Sequence, residues 1–421
     1  MTATVPSTET HRQAWLASAA HRRWLEAETD HLLGLLPAAV DPRGGFGWLD
    51  AQNRLTPGRP AELWITCRMT HVAALGQLRG RPGNTALLDH GVRALDGPFA
   101  DQVHGGWHAV RPDGAASAQV KGAYEHAFVV LAASSVCVAG HPGGPALLDR
   151  ALAALLERFW EDDHGLIADR WDPATGRLDP YRGVNANMHT VEALLAAYDV
   201  TSDRSHLDTA LRITTRVVDE FARSHDWRIP EHFDAAWNPR LDFNRDTPAD
   251  PFRPYGATVG HWLEWSRLCL QLRASLGPGA APDWLLPHAR SLFAAAVEQG
   301  WAADGAPGFV YTVDWDGTPV VAERMHWVAA EATATAAALW LETAEPEYTT
   351  WYEMWWDHID TTHRDHERGG WHHELDRDGR PSSTVWSGKP DLYHAVQATL
   401  MPRLPLTPTF ATALARGLLR D

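Results

Sequence analysis

The segment RGGFGWLD at residues 43–50, followed by ELWITCRMTHVAALGQL at residues 62–78, sets the pattern of the whole chain. Short aromatic segments like the first recur at HGGWHAV (104–110), HGLIADRW (164–171), HDWRIPEHF (225–233), PGFVYTVDWDG (307–317) and RGGWHHELD (368–376). With Gly45, Gly106, Gly165, Trp227, Gly308 and Gly370 as markers, the intervals are 61, 59, 62, 81 and 62 residues. Apolar and polar residues alternate in several of these segments, which predicts short strands or hairpins. A repeat of about sixty residues therefore organises the chain.

Two helices are predicted between successive aromatic segments. One is amphipathic, with apolar residues three and four positions apart, as in ALLDRALAALLERFW at 146–160. The other is apolar on almost every side, as in AYEHAFVVLAASSVCVA at 123–139 and HWVAAEATATAAALWLE at 326–342, which is typical of a buried helix. Six such pairs predict an all-α fold, an (α/α)6 barrel of six helix pairs with short β-hairpins at one end.

The fourth interval is longer because it contains an insertion at residues 234–256, DAAWNPRLDFNRDTPADPFRPYG. Its Pro, Asp, Asn and Arg content predicts a long active-site loop, either ordered or mobile. No linker-like segment separates the repeats. We therefore expect a flexible N-terminus at residues 1–10 and a single catalytic barrel domain at residues 11–421.

Composition excludes several classes of partner. The chain carries 37 basic and 53 acidic residues, a formal net charge of −16, which repels nucleic acid and anionic membrane surfaces. MTATVPSTET at the N-terminus lacks the basic and apolar regions of a secretory signal. Three widely separated cysteines suit a reducing compartment, so we expect a cytoplasmic protein. The 21 tryptophans offer flat faces that suit sugar rings, although most would fill the core.

Ionisable residues appear near the N-terminal end of each predicted buried helix. They are Arg68, Glu125 with His126, His189 with Glu192, His261 with Glu264, His326 with Glu331, and His394. Six helices that begin at the same end of a barrel would bring these side chains around one mouth. Burying a charge without a partner is unfavourable by several kcal/mol. A polar residue on every buried helix therefore indicates an active site at that mouth.

Three kinds of chemistry can be drawn from these residues. His189, His261 and His394 could ligate a metal with Glu264 or Glu331, but the tight H-E-x-x-H spacing is absent. The two glutamates could also act as a glycosidase pair, which would leave the histidines without a role. Proton abstraction next to a carbonyl would use the histidines and the glutamates together. Imidazole titrates near neutral pH, so one histidine can act as the base and another as the acid. In that case Glu264, one turn after His261, is expected to orient the imidazole ring.

Five segments carry a resemblance to a known family. They are ELWITCRMTH (62–71), NANMHTVEA (185–193), YGATVGHWLEW (255–265), HWVAAEA (326–332) and WSGKPDLYHAVQ (386–397). At these residues the chain resembles the N-acylglucosamine 2-epimerase superfamily, and within it the aldose–ketose isomerases that act on mannose. The likeness extends from about residue 12 to residue 415. It implies a monosaccharide substrate, no metal or organic cofactor, and a monomer or homodimer.

The resemblance also implies roles for single residues. The catalytic histidine pair of the family falls on His261, expected to open the pyranose ring, and on His394, expected to move a proton between C2 and C1 through a cis-enediol. Its other active-site positions fall on Arg68, His189, Glu264 and Glu331, and its sugar-contacting positions on Asn185, Tyr124, Trp327 and Asp391. Arg68 and His189 would hold the O1 and O2 oxygens.

The expected activity is the interconversion of D-mannose and D-fructose, with D-lyxose and D-xylulose as side substrates. The alternatives are a sugar 2-epimerase of the glucose/mannose or cellobiose type, a sulfoquinovose-type isomerase, and a glycosidase on the same barrel. Among the sulfosugar isomerases of the family, the position of Pro390 commonly carries a Gln that helps to hold the sulfonate. Proline donates nothing, which favours a neutral hexose. The insertion also contains three arginines, Arg240, Arg245 and Arg253. They would allow an anionic sugar as the substrate unless they pair with Asp242, Asp246 and Asp250.

Overall fold

The computed structural model describes residues 14–112 and 119–420, so the N-terminus expected to be flexible at residues 1–10 lies outside the described residues. Within them the chain forms thirteen α-helices. In chain order these are α1 (Ala19–Leu33), α2 (Leu63–Leu78), α3 (Asn84–Asp96), α4 (Ala123–Val138), α5 (Gly144–Phe159), α6 (Val184–Thr201), α7 (Arg204–Thr214), α8 (Val259–Leu276), α9 (Leu285–Gly300), α10 (His326–Thr343), α11 (Pro346–His358), α12 (Tyr393–Leu400) and α13 (Phe410–Ala415). Single π-helical segments, Thr215–Ala222 and Ile359–His363, extend α7 and α11. Among the described helices, none is both long and apolar enough to span a membrane.

Short antiparallel strands connect the helices. They are β1 (Lys121–Gly122), β2 (Trp160–Glu161), β3 (Leu166–Ile167), β4 (Arg170–Asp172), β5 (Arg177–Leu178), β6 (Arg182–Gly183), β7 (His232–Phe233), β8 (Ala257–Thr258), β9 (Thr312–Val313), β10 (Pro319–Val321), β11 (Arg324–Met325) and β12 (Glu374–Leu375). They pair as β1–β4–β5, β8–β9–β10, β2–β3, β6–β7 and β11–β12. Each is two or three residues long, so they act as connections at the helix ends rather than as a sheet layer.

The even-numbered helices from α2 to α12 form a closed inner ring, in which each helix contacts the next and α12 contacts α2. The odd-numbered helices form an outer layer: α3 packs on α2, α5 on α4, α7 on α6, α9 on α8, α11 on α10, and α1 on α12. The predicted (α/α)6 barrel is therefore confirmed. The first outer helix packs on the last inner one, which joins the two ends of the described chain into the ring.

Burial explains the two helix patterns in the sequence. On α4 the buried positions run almost continuously from Ala123 to Val136, because outer helices and neighbouring inner helices cover every side. On α3 the large buried side chains are Leu88, Val92 and Leu95, which share one face. Apolar burial of this extent is the main favourable term in the free energy of folding.

The short strands lie at the N-terminal ends of the inner helices. β1, β6, β8 and β11 each end directly before α4, α6, α8 and α10, as the hairpin prediction required. The marker glycines make close approaches there. Gly45 and Gly106 have φ of 85° and 68°, and a Cβ at these positions would lie 2.7 Å from Thr66 Oγ1 and from His126 Nε2. Glycine is needed because both the backbone angle and the available space exclude larger residues.

His126 does not belong to the mouth, contrary to its inclusion in the predicted ring of polar residues. Its Nδ1 lies 2.7 Å from the Gly122 carbonyl, and its Nε2 accepts a hydrogen bond from the Trp107 amide at 3.2 Å. It therefore ties the second aromatic segment to α4. On that helix, Tyr124 lines the pocket at the mouth.

Histidines of the core should make folding sensitive to acid. Burial lowers the pKa of His71 and of His126 to about 4, whereas an imidazole in an unfolded chain titrates near 6.5. Between these values the unfolded chain binds protons that the folded chain does not. The free energy of unfolding therefore falls as the pH is lowered.

We expect this loss to amount to roughly 1 to 2 kcal/mol for each of the two histidines between about pH 7 and about pH 5. Chemical denaturation over that range measures it. His71→Gln should reduce the pH dependence, whereas His31→Gln, at an exposed position of α1, should leave it unchanged. An equal pH dependence in the His71→Gln protein and the wild type would contradict the expectation.

Candidate functional site

A pocket opens at the N-terminal ends of the inner helices. Nine of the ten residues predicted for the site line it: Arg68, Tyr124, Asn185, His189, His261, Glu264, Trp327, Asp391 and His394. The tenth, Glu331, lies behind His394. The sequence did not point to five further aromatic or histidine side chains at the pocket wall: Trp64, Phe252, Tyr311, His373 and Trp386. Most of the polar residues that were predicted to lie at the mouth are therefore together at one end of the barrel.

His394, in the first turn of α12, is held by a carboxylate from α10. Its Nδ1 is 2.9 Å from Glu331 Oε1. Because an ionised carboxylate only accepts hydrogen bonds, Nδ1 carries the proton and Nε2 is the free nitrogen. Burial, followed by the positive charge of Arg68, lowers the pKa of His394 below its ordinary value. The imidazole is therefore neutral near pH 7, the form that can accept a proton.

His261, in the first turn of α8, has the same arrangement with a different partner from the one expected. Its Nδ1 is 2.9 Å from Glu231 Oε1, so the prediction that Glu264 orients this ring was wrong. Glu231 directly precedes β7 and belongs to the fourth aromatic segment, HDWRIPEHF. Glu264 also lines the pocket, but its contacts are with other residues: its Oε1 is 3.3 Å from Arg267 and 3.9 Å from His189.

Trp327 lies between the two histidines. Its ring centroid is 5.4 Å from that of His261 and 5.7 Å from that of His394. A Cβ on Gly260 would lie 2.3 Å from the indole, so the glycine before His261 allows α8 and this indole to approach. The indole therefore packs beside both imidazoles and limits their movement.

Arg68 on α2 is the one Arg or Lys among the residues of the described chain that line the pocket. Its Nη1 donates to Asp391 Oδ2 at 3.1 Å and its Nη2 to the Tyr124 hydroxyl at 3.2 Å. Burial would raise the pKa of Asp391, but Arg68 and the nearby histidines bring it below its ordinary value. Asp391 is therefore ionised and holds the guanidinium in position at the pocket wall.

Beneath the pocket, Arg267 of α8 meets the carboxylates of three inner helices. Its Nε donates to Glu331 Oε2 at 2.8 Å, and its Nη2 to Glu264 Oε1 at 3.3 Å. Burial and the charge of Glu331 raise the pKa of Glu264 well above its ordinary value. Glu264 therefore holds its proton more strongly than an exposed glutamate does, and in its protonated form it can donate a hydrogen bond.

A second carboxylate supports His189. The Nδ1 atom of His189 lies 3.3 Å from Glu192 Oε2. The same carboxylate oxygen accepts a hydrogen bond from the Tyr393 hydroxyl. Burial alone would raise the pKa of Glu192, but hydrogen bonding to His189 and the charge of Arg267 lower it. The polar residues under the mouth thus form one connected network.

Two groups in this network have ligand atoms close enough to hold a metal ion: His189 with Glu192 and Glu264, and Glu264 with Glu331 and His394. In both groups the carboxylates already share a cation, because Arg267 bonds to Glu264 and Glu331 and its charge reaches Glu192. The arrangement is that of carboxylates that position histidines and an arginine. Metal independence stays a prediction.

Three buried polar atoms around the pocket have no hydrogen-bond partner within the described residues. They are Arg68 Nε, Asn185 Oδ1 and His326 Nε2. Buried polar atoms in folded proteins are normally satisfied. These atoms include a donor and acceptors, so a ligand with several hydroxyl groups would supply complementary partners.

Aromatic side chains from two loops cover one side of the mouth. Phe252, from the 234–256 insertion, lies 5.1 Å from Trp386 between ring centroids and 6.2 Å from both Trp64 and Tyr124. Trp386 in turn stacks on Trp48 at 5.8 Å. We call Trp64, Phe252 and Trp386 the aromatic roof. The insertion was predicted to lie at the site, and Pro251, Phe252 and Pro254 do line it.

Two arginines of the insertion have partners outside it. Arg253 bonds to Asp169 at 2.8 Å and lies over the Tyr181 ring, and Arg245 lies 3.8 Å from Asp314. The pairing of these two arginines with Asp242, Asp246 and Asp250 was therefore not found. Arg240, Arg245 and Arg253 do not line the pocket.

The chain is similar to known proteins over nearly its whole length. The D-mannose isomerase of Thermobifida fusca is 52% identical over 403 residues, covering 95% of this chain and 98% of that protein. The D-mannose isomerase of Pseudomonas cannabina pv. alisalensis is 47% identical over 404 residues, covering 96% and 97%. A crystal structure of D-mannose isomerase matches with a TM-score of 0.83 at 27% identity, over 92% of this chain and 99% of that one.

The family model of N-acylglucosamine 2-epimerase (GlcNAc 2-epimerase) matches residues 44–398. This range contains all six inner-helix mouth positions and both histidine–carboxylate pairs. The resemblance drawn from five sequence segments is thereby confirmed. The chain belongs to the N-acylglucosamine 2-epimerase family and is an isomerase.

Proposed function

We propose that the chain is an aldose–ketose isomerase that interconverts D-mannose and D-fructose, with D-lyxose and D-xylulose as side substrates. The observation that carries the proposal is the pair of histidines, each with Nδ1 bound to a carboxylate and both lining one pocket beside Arg68. This arrangement suits proton transfer next to a carbonyl near neutral pH. The names of the two relatives at 52% and 47% identity support the choice of sugar.

In the proposed reaction His261 acts first as the acid/base that opens the bound pyranose. Nε2 of His394 then removes the proton on C2, while the carbonyl oxygen O1 takes up a proton, and a cis-enediol forms. The same imidazole returns its proton to C1 as O2 passes its proton to the group that protonated O1, which gives the ketose. Arg68 and His189 hold O1 and O2, and the guanidinium stabilises the negative charge that develops on them. Every proton removed is thus returned within one cycle.

Three features support a neutral free monosaccharide as the substrate. Pro390 lines the pocket and offers no donor to a sulfonate. Arg68, the lining cation, already pairs with Asp391. The aromatic roof joins the insertion to the loop of Trp386, and in this proposal it opposes the entry of a second sugar unit on that side. Asn185, Tyr124, Trp327 and Asp391 supply the sugar contacts in this proposal.

Two alternative functions, a 2-epimerase and a glycosidase, can be distinguished from the proposed isomerase. A 2-epimerase would use the same histidines but return the proton to C2 from the opposite face, so its first product from mannose would be glucose. A glycosidase needs two carboxyl groups on opposite sides of the scissile bond. Glu264 and Glu331 share one arginine on the same side of the pocket, which argues against hydrolysis.

Incubation of the enzyme with D-mannose should give D-fructose as the first product, with undiminished yield after dialysis against a chelator. His394→Gln should lower the rate by on the order of 1,000-fold or more, because the base for the C2 proton is lost. Product identity by NMR and the initial rate are the measurements. Glu298→Gln, an exposed change on the outer helix α9, is the matched control. Glucose as first product, or an active His394→Gln protein, would contradict the proposal.

Removing one ring of the aromatic roof should widen the range of substrates. We expect Phe252→Ala to lower kcat/KM for D-mannose and to permit turnover of 4-O-linked disaccharides such as mannobiose, because Phe252 packs on Trp386 and Trp64. Met354→Ala, another exposed apolar position, serves as the control. Unchanged discrimination between mono- and disaccharide in Phe252→Ala would show that the roof has no part in selection.

A further inference from the structure

The carboxylate of Glu231 has no role in the reaction as proposed so far. The residue is 5% exposed and lies between the π-helical segment after α7 and strand β7. Its backbone is fixed, because its carbonyl accepts a hydrogen bond from the Val184 amide at 3.2 Å and the next residue pairs with Gly183 in β6–β7. The side chain is thereby aimed from a strand end toward the first turn of α8.

The contact it makes fixes the chemistry of His261. Glu231 Oε1 lies 2.9 Å from Nδ1 of the imidazole, and a carboxylate accepts but does not donate. The proton of the neutral ring therefore sits on Nδ1, and Nε2 is left as the nitrogen that gives or takes a proton. The Trp327 indole, 5.4 Å away between centroids, covers one side of the ring and limits its rotation.

The two histidine–carboxylate pairs are not equivalent. Glu331, the partner of His394, also bonds to Arg267 at 2.8 Å, which neutralises part of its charge. Among the described residues, Glu231 has no Lys or Arg within ion-pair distance; its one ion-pair partner is His261. The negative charge of Glu231 is therefore not shared with an arginine or lysine, and its one ion-pair contact is with His261. Such a charge compensates the imidazolium that forms whenever Nε2 takes up a proton.

We propose that Glu231 is a positioning residue for His261, one that holds the ring in its Nδ1–H tautomer and compensates the charge of the protonated ring during sugar opening. The proposal rests on the proposed isomerase function, because it assigns His261 the acid/base role in that reaction. Glu231 itself touches no substrate atom. A carboxylate that served packing alone would be replaceable by the isosteric amide, whereas this role requires an acceptor with a negative charge.

Kinetics of Glu231→Gln, Glu231→Asp and the control Glu298→Gln test the proposal. We expect Glu231→Gln to lower kcat for D-mannose by about 100-fold or more with KM within about threefold of wild type, because the amide can impose the wrong tautomer and carries no charge. Glu231→Asp keeps the charge and should retain more of kcat than Glu231→Gln. A fall in kcat of less than about tenfold in Glu231→Gln, or a lower kcat in Glu231→Asp than in Glu231→Gln, would overturn the proposal.

A measurement on the unsubstituted enzyme covers the case in which Glu231→Gln does not fold. Two-bond proton–nitrogen correlations of ¹⁵N-labelled histidines report the tautomer of each ring, and the signals of His261 are assigned by their loss in His261→Gln. We expect the neutral ring to be in the Nδ1–H form; the Nε2–H form would overturn the proposal. The tautomer is read without substrate. A wild-type enzyme that makes no fructose from mannose would therefore refute the proposed function, while the tautomer measurement would still stand.

Discussion

The ion pairs of Arg267 inside the ring of inner helices are the interaction on which the site depends. A buried carboxylate without a counter-charge is unfavourable by several kcal/mol, and three lie together here: Glu192, Glu264 and Glu331. The guanidinium bonds directly to two of them and lies close enough to the third to lower its pKa. With that cation in place, Glu331 can stay ionised and face His394, and part of the pKa increase that burial and Glu331 impose on Glu264 is offset. The orientation of His394 and His189 follows from this arrangement beneath them, because Glu331 and Glu192 hold their rings.

Much of the fold was accessible from the sequence because a sixty-residue period and two helix patterns fix which helices are inner and outer. The same period brought Arg68, His189 and His394 to one mouth, where the structure has them. Spacing along a helix says which residues share an end. It does not say which way each side chain points. His126 points to the second aromatic segment and not to the mouth.

What the sequence missed are contacts between segments far apart in the chain. His261 was given Glu264 as its partner because the two are three residues apart on one helix. The actual partner, Glu231, comes from the strand connection 30 residues earlier. Arg267 escaped notice because it lies two turns into a helix that reads as apolar. The aromatic roof joins residues 252 and 386 across the mouth, and no local pattern predicts such a meeting of two loops.

The two histidine–carboxylate pairs, set at one wall with Trp327 between them, make proton transfer through an enediol the central claim. Conversion of D-mannose labelled with deuterium at C2, carried out in ordinary water, tests it most directly. The account predicts that fructose carries less deuterium at C1 than the mannose carried at C2, because the label passes through an imidazole nitrogen that exchanges with solvent. Complete retention of deuterium at C1 in the first turnovers would indicate a direct hydride shift and would contradict the account.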